Sequence, residues 1–223
     1  MSLLLQKAKS LLPVFLDRLT IRRESGPLDS PECLRHFVST RAAFMAQKTL
    51  YGYLKTRMGT RYPSMFEDEV LIASIDIAKL QVFAACLSDL ALYAANRALE
   101  GTEVPPEARR DLARACFDQG LADSADAAVG VEAFSAAEAK AAFERRLAFW
   151  DWDDGPKGAD IFSESPAALV RWAPIAPELK QFDREIVENS IKFKWRDARR
   201  DFERRLDAAA VAAALGGRQS VPA

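Results

Sequence analysis

Residues 70–95 form a strongly apolar run that carries only three charges, Asp76, Lys79 and Asp89. Nothing else in the chain constrains the fold as much. By length alone such a run can span a bilayer, but three charges and several polar residues make it a poor membrane segment. Its better home is the centre of a helical bundle, wrapped by other helices. Charge is expensive there unless it is compensated, so each of the three needs a partner. Asp76 and Lys79 stand three apart and can pair on one helical face. Glu67, Asp68 and Glu69 precede the run, where a helix N-terminus favours anions.

The remaining segments also read as helix, and no convincing run of two-residue alternation argues for a sheet. Ser30 is a good N-cap and Pro31 suits the first helical position. That helix runs to about Arg57, with Gly59 as its C-terminal cap. Its apolar residues Leu34, Phe37, Val38, Phe44, Met45, Leu50, Tyr51 and Leu54 spread around the wheel, so it should be well buried. A loop at Gly101–Val104 leads to a helix opened by Pro105-Pro106 and ending near Gly120. Ser135-Ala136-Ala137-Glu138 has the capping-box pattern and starts a helix to about Phe149. Residues 151–165 read as a loop, and Ser165-Pro166 opens a short helix through Trp172. The longest pattern, Glu178 to Leu215, carries Leu179, Phe182, Ile186, Phe193, Trp195, Phe202 and Leu206. Its candidate break is Asn189-Ser190, and Gly216-Gly217 stop it. The expectation is an all-α protein: a helical bundle (28–215) with a long C-terminal helix, an N-terminal amphipathic helix (1–24) and a disordered tail (216–223).

In the N-terminal segment, Leu4, Leu5, Ala8, Leu11, Leu12, Phe15, Leu16 and Leu19 fall in one apolar arc at 3.6 residues per turn. Lys7 and Arg18 border the arc on one side and Lys9 on the other. Residues 1–23 have a local charge balance of +4. Cations beside a wide apolar face can snorkel toward lipid headgroups. Leu4, Lys7, Lys9, Leu11, Phe15 and Arg18 therefore form a candidate membrane or docking face. Pro13 should kink or divide this helix. Residues 24–30 read as a linker.

A net charge of −1 exerts no global pull toward nucleic acid. Cys33, Cys86 and Cys116 are odd in number and far apart, which suits free thiols in a reducing compartment. Lys7, Lys9 and Pro13 interrupt the first apolar stretch, so no secretory signal is read there. The expected location is the cytoplasm or the cytoplasmic face of a membrane.

The chain contains one histidine, His36. It shows no Gly-rich phosphate loop, no paired-Cys metal motif and no nucleophile elbow. Cys33, His36 and Ser39 stand at three-residue spacing on one helix and are the weak candidates for nucleophilic chemistry. A mid-helix serine, however, has no free backbone amides nearby to hold an oxyanion. Glu32 and His36 can share a face, yet one histidine with scattered carboxylates falls far short of a di-iron bundle. Asp151-Trp152-Asp153-Asp154-Gly155-Pro156 resembles a calcium loop, but its glycine is one position early and no Glu stands at the twelfth position. A solvated turn is the plainer reading, and no metal or cofactor is expected. Lys48, Tyr51, Tyr53, Lys55, Arg57 and Arg61 mix cations with aromatics, a combination that suits phosphates or a partner surface. Residues 192–205 have a local balance of +4 and read mainly as a solvated face.

The stretch Phe44-Met45-Ala46-Gln47-Lys48-Thr49-Leu50-Tyr51-Gly52-Tyr53-Leu54-Lys55-Thr56-Arg57-Met58-Gly59-Thr60-Arg61 resembles an uncharacterised bacterial family. So do Trp172-Ala173-Pro174-Ile175-Ala176-Pro177-Glu178-Leu179 and Phe182-Asp183-Arg184-Glu185-Ile186-Val187. The resemblance covers residues 28–210. Some members carry an automatic "esterase" name, which implies a hydrolase acting on ester bonds. No mechanism attaches to these motifs, so the resemblance carries no catalytic residue with it.

Three functional expectations follow. The first is a non-enzymatic interaction or regulatory protein, peripheral to the cytoplasmic membrane if residues 3–23 serve as an anchor. A protein partner or homo-oligomer is expected, with an anionic membrane surface as a further candidate. The second is an esterase-like hydrolase. The third is a binder of nucleic acid or a phosphate ligand, and the net charge of −1 disfavours nucleic acid.

Overall fold

The computed structural model describes residues 26–60 and 67–216. Within them the chain is an all-α bundle of eight helices. In chain order these are α1 (Pro31–Met58), α2 (Glu69–Leu99), α3 (Pro106–Asp123), α4 (Ala125–Ala128), α5 (Ala136–Ala148), α6 (Glu164–Trp172), α7 (Pro177–Arg205) and α8 (Ala208–Gly216). The segment 1–24, and with it Leu4, Lys7, Lys9, Leu11, Phe15 and Arg18, lies outside the described residues, as do Arg61 and the tail after Gly216.

Helix starts follow their caps. Ser30 Oγ accepts the Cys33 amide at the start of α1, and Asp68 Oδ1 accepts the Val70 and Leu71 amides at the start of α2. Ser135 Oγ accepts the Glu138 amide of α5 at 3.2 Å. Gly59 closes α1 at φ 54°, a backbone region that side chains other than glycine's disfavour.

Helix α2 runs through the middle. It packs against α1, α3, α6 and α8, while α1 also meets α3 and α7. It is long and apolar enough to cross a membrane by length and composition. Here its second half is enclosed by protein: Ala91, Leu92, Ala94, Ala95, Ala98 and Leu99 expose nothing. Its small residues let neighbours come close, and so does Gly120 of α3. A Cβ at Gly120 would stand 2.5 Å from Leu87 Cδ1. Aromatic rings bridge the layers. Phe37 of α1 meets Phe202 of α7, Phe202 meets Tyr93 of α2, and Tyr93 meets Phe162, which packs on Trp195 at 4.5 Å.

The long C-terminal pattern breaks at a different place from the one its sequence suggests. Helix α7 continues through Asn189-Ser190 and stops at Arg205. The cause is a clasp with the incoming chain. The Leu28 amide donates to Arg205 O at 2.8 Å, and the Asp207 amide donates to Leu28 O at 3.0 Å. Leu206 takes extended backbone in this parallel bridge, and Asp207 then caps α8 through the Ala210 amide.

Candidate functional site

Helical spacing separates the three nucleophile candidates. Ser39 is buried and its hydroxyl donates to Asp123 Oδ2 of α3 at 2.6 Å. His36 is exposed, and Cys33 is half-buried against the core. The arrangement puts the serine inside an interhelical hydrogen bond and the imidazole at the surface.

The basic, aromatic segment of α1 divides in two. Tyr53 and Arg57 turn toward α7. The Tyr53 hydroxyl donates to Asp183 Oδ2 at 2.7 Å, and the Arg57 guanidinium binds both oxygens of the same carboxylate. Arg57 and Tyr53 together hold the Asp183 carboxyl below its usual range. Burial and the Asp183 carboxylate push the Tyr53 phenol up to about 12. Lys48, Tyr51 and Lys55 lie on another face of α1. Lys48 sits over the Phe44 ring at 5.3 Å. Lys194 of α7 comes within 3.5 Å of the Gly52 Cβ position, and burial with the nearby Lys48 charge holds its ammonium below the usual lysine range. Tyr53 and Arg57 are thus parts of a helix–helix joint. Lys48 and Lys194 are neighbouring cations on this side of α1, with Lys55 further along the helix.

The strongest polar cluster lies where the sequence marks only a lone charge. Asp89 of α2 is fully buried. Its Oδ1 accepts from the Arg146 guanidinium at 2.8 Å, and its Oδ2 accepts the Ser165 amide at 2.8 Å. The Glu164 amide also donates to it, at 3.2 Å. The carboxylate therefore caps α6 from a different helix, where the helix dipole favours an anion. Arg146 of α5 reaches on to Ser88 Oγ and Ile161 O, each at 2.8 Å. The Ser165 hydroxyl in turn accepts the Trp195 indole N–H at 2.9 Å. Burial pushes the Asp89 carboxyl up, while Arg146 and Ser165 pull it back. Burial also pushes the neighbouring Cys86 thiol well above its ordinary value, so it is a poor nucleophile. Every strong donor and acceptor here faces another protein group. The network ties α2, α5, α6 and α7 together and leaves no polar atom aimed at a ligand.

Two small clefts lie among the described residues. One, lined by Asn96, Glu100, Arg109, Trp152, Asp153 and Lys157, encloses about 120 Å³. The other, between α6 and α7 beside Arg171, Arg184 and Glu188, encloses about 180 Å³. Both are below the size that ordinarily encloses a small-molecule ligand. No group of three or more His, Cys, Asp or Glu that could hold a metal ion occurs among the described residues. In the acidic turn, Asp151 Oδ1 accepts the Asp153 and Asp154 amides, so this carboxylate orders its own loop.

Among the described residues, the outer side of α7 carries an aligned row of large apolar side chains in water. Leu179 is 46% exposed, Phe182 74%, Ile186 71% and Phe193 59%. At 3.6 residues per turn they fall within an arc of about 60°. The buried residues of α7, Val187, Ile191, Trp195, Ala198 and Phe202, lie on a different face. Helix α7 is therefore apolar on two faces. In the sequence these residues merge into one apolar pattern. The clue to two stripes was there, because 179, 186 and 193 repeat every seven while 187, 191, 195, 198 and 202 follow their own row. Arg196 lies over the Phe193 ring at 4.0 Å and flanks the outer stripe.

Comparison with protein-family models, curated proteins and solved structures gave no match to this chain.

Proposed function

We propose that this chain is a non-enzymatic interaction protein whose contact surface is the outer face of α7. The observation that carries the reading is the row Leu179, Phe182, Ile186 and Phe193, held in water on a helix whose other side is anchored in the core. Large apolar side chains scattered singly on a surface need no explanation, whereas an aligned row marks a binding face. Helix-in-groove and helix–helix recognition use this kind of spacing. The hydrolase reading draws less support, since the Ser39 hydroxyl is engaged by Asp123 while His36 faces solvent. Residues 3–23 supply the membrane part of the reading by their sequence pattern, and the surface on which they would act is an anionic bilayer.

The test is co-purification from the producing cell, with quantitative comparison of the wild type and a Phe182→Asp/Ile186→Asp double variant. Loss of the co-purifying set in the double variant supports the reading. An unchanged set would show that contacts are made elsewhere. Flotation with anionic vesicles, with and without residues 1–24 and across a salt series, tests the membrane part. Floating only by the full chain, weakened by salt, is the expected result.

A further inference from the structure

The geometry points to a second copy of this chain as the occupant of the α7 stripe, paired with it in antiparallel orientation about a two-fold axis. The inference rests on the reading of the α7 face as a contact surface and names what covers it. Three observations carry it: the spacing of the stripe, its alignment away from the core, and the way charge is divided along the helix.

The apolar positions 179, 182, 186 and 193 match the a and d places of a heptad, with Asn189 and Arg196 at the remaining d places. Two such helices can interdigitate over the length of the stripe, about 21 Å for the fourteen steps from Leu179 to Phe193 at 1.5 Å each. With the axis between residues 187 and 188, Phe182 of one copy seats beside Phe193 of the second, and Ile186 beside Asn189. Leu179 then lies beside Arg196, and the apolar contact centres on the two symmetric Phe182–Phe193 pairs of an isologous interface.

Charge selects the orientation. Asp183 is turned to α1, so along the overlapping stretch Glu178, Glu185 and Glu188 stand against Lys180 and Arg184 in the first half, a balance of −1, and Lys192, Lys194 and Arg196 stand against Asp197 in the second, a balance of +2. A parallel pair would lay the acidic half on the acidic half and the basic half on the basic half. An antiparallel pair lays each on its opposite, with Glu185 flanking the stripe near Lys192 of the second copy. Such complementarity fixes register and orientation more than it adds affinity.

Charge also disfavours the chain's own N-terminal segment. The Arg205 side chain binds Gly26 O at 2.7 Å, so Gly26 sits at the basic end of α7. Residues 1–23 have a balance of +4 and would meet like charge along the nearer half. One helix pair is a small interface, so the dimer should be reversible, populated at about 100 μM and largely dissociated near 1 μM.

The experiment is sedimentation equilibrium of the full chain over that range. A concentration-dependent dimer is expected. Phe182→Asp/Ile186→Asp should leave a monomer at every concentration. Glu185→Lys alone should weaken the dimer at least about tenfold, the scale of one 1.4 kcal/mol contact. Adding Lys192→Glu to it should restore the wild-type constant, because the swap exchanges the two charges across the axis. A wild-type monomer throughout would overturn the inference, and so would a dimer that Phe182→Asp/Ile186→Asp leaves intact. Dimerisation only after residues 1–24 are removed would overturn it as well, by assigning the stripe to the chain's own segment. If the purified chain is monomeric but the double variant still loses its co-purifying proteins, self-pairing falls and the contact surface stands. If neither measurement responds to the double variant, both fall.

Discussion

The centre of α2 and the outer face of α7 break the same rule in opposite directions. Asp89 places a charge where side chains are apolar, and Phe182 and Ile186 place apolar surface where side chains are polar. The difference lies in closure. Asp89 is met by Arg146, the Glu164 amide and the Ser165 amide, and its neighbours are satisfied in turn. In the α7 stripe Arg196 lies over the Phe193 ring, and Phe182 and Ile186 remain 74% and 71% exposed. A closed violation is architecture, and an open one leaves an apolar row standing in water. Buried, perturbed carboxylates often mark active sites. Here the Asp89 cluster marks a joint, because all of its hydrogen-bonding capacity is directed at the fold.

The contrast can be broken first at Asp89. Asp89→Ala strands Arg146 in the interior and uncaps α6, and it should cost about 3–5 kcal/mol in urea unfolding. Asp89→Leu combined with Arg146→Met removes both charges and should recover a good part of that loss, since an apolar pair of similar volume carries no desolvation penalty. A loss under about 1 kcal/mol for Asp89→Ala would mean that the network is dispensable.

A smaller effect belongs to the α1–α7 joint. Tyr53→Phe removes one hydrogen bond to Asp183 and should cost about 1 kcal/mol. The phenol also gives this joint an alkaline limit. Its folded value, about 12, is raised above the ordinary value of 10.0. The contribution it makes is therefore fully present below pH 10 and is lost as pH rises from 10 toward 12. Tyr53→Phe should flatten that part of the stability curve. Asp183 acts at the other end. Its carboxyl is lowered by Arg57 and Tyr53, so its contribution is present above the ordinary carboxylate value near 4 and is lost as pH falls below it. A stability profile that Tyr53→Phe leaves unchanged above pH 10 would show that the joint does not titrate as described.

The smallest stability effect is predicted for the stripe itself. Phe182→Asp and Ile186→Asp should each change unfolding by no more than about 0.5 kcal/mol, because both side chains already stand in water. A drop of 2 kcal/mol or more would mean that these residues are covered by the chain's own fold.

Much of this architecture was legible in the sequence where local chemistry decides it. Ser30-Pro31, Ser135 with Glu138, and Pro105-Pro106 each mark a helix start, because a cap needs only neighbours in sequence. The apolar run of α2 declared a core helix, and Asp76–Lys79 form the expected pair at 2.6 Å. Long-range partners were not legible. Asp89 meets Arg146, 57 residues on, and Tyr53 meets Asp183, 130 residues on. No spacing rule announces either. The end of α7 is set in the same way, by Leu28 pairing with Leu206 from 178 residues away. The outer stripe was present in the seven-residue spacing of Leu179, Ile186 and Phe193, but a second apolar face on the same helix blurred it. The candidate residues of α1 point to the same division. Their types suggested chemistry, and their partners decided which ones hold the fold.

The most direct test pairs two readouts on one variant. Phe182→Asp/Ile186→Asp should be compared with wild type by sedimentation equilibrium and by urea unfolding at a concentration where both are monomeric. The account predicts that association is lost while the unfolding midpoint stays where it was. An unfolding midpoint that falls sharply, with association unchanged, would contradict it, because the stripe would then belong to the fold and not to a partner.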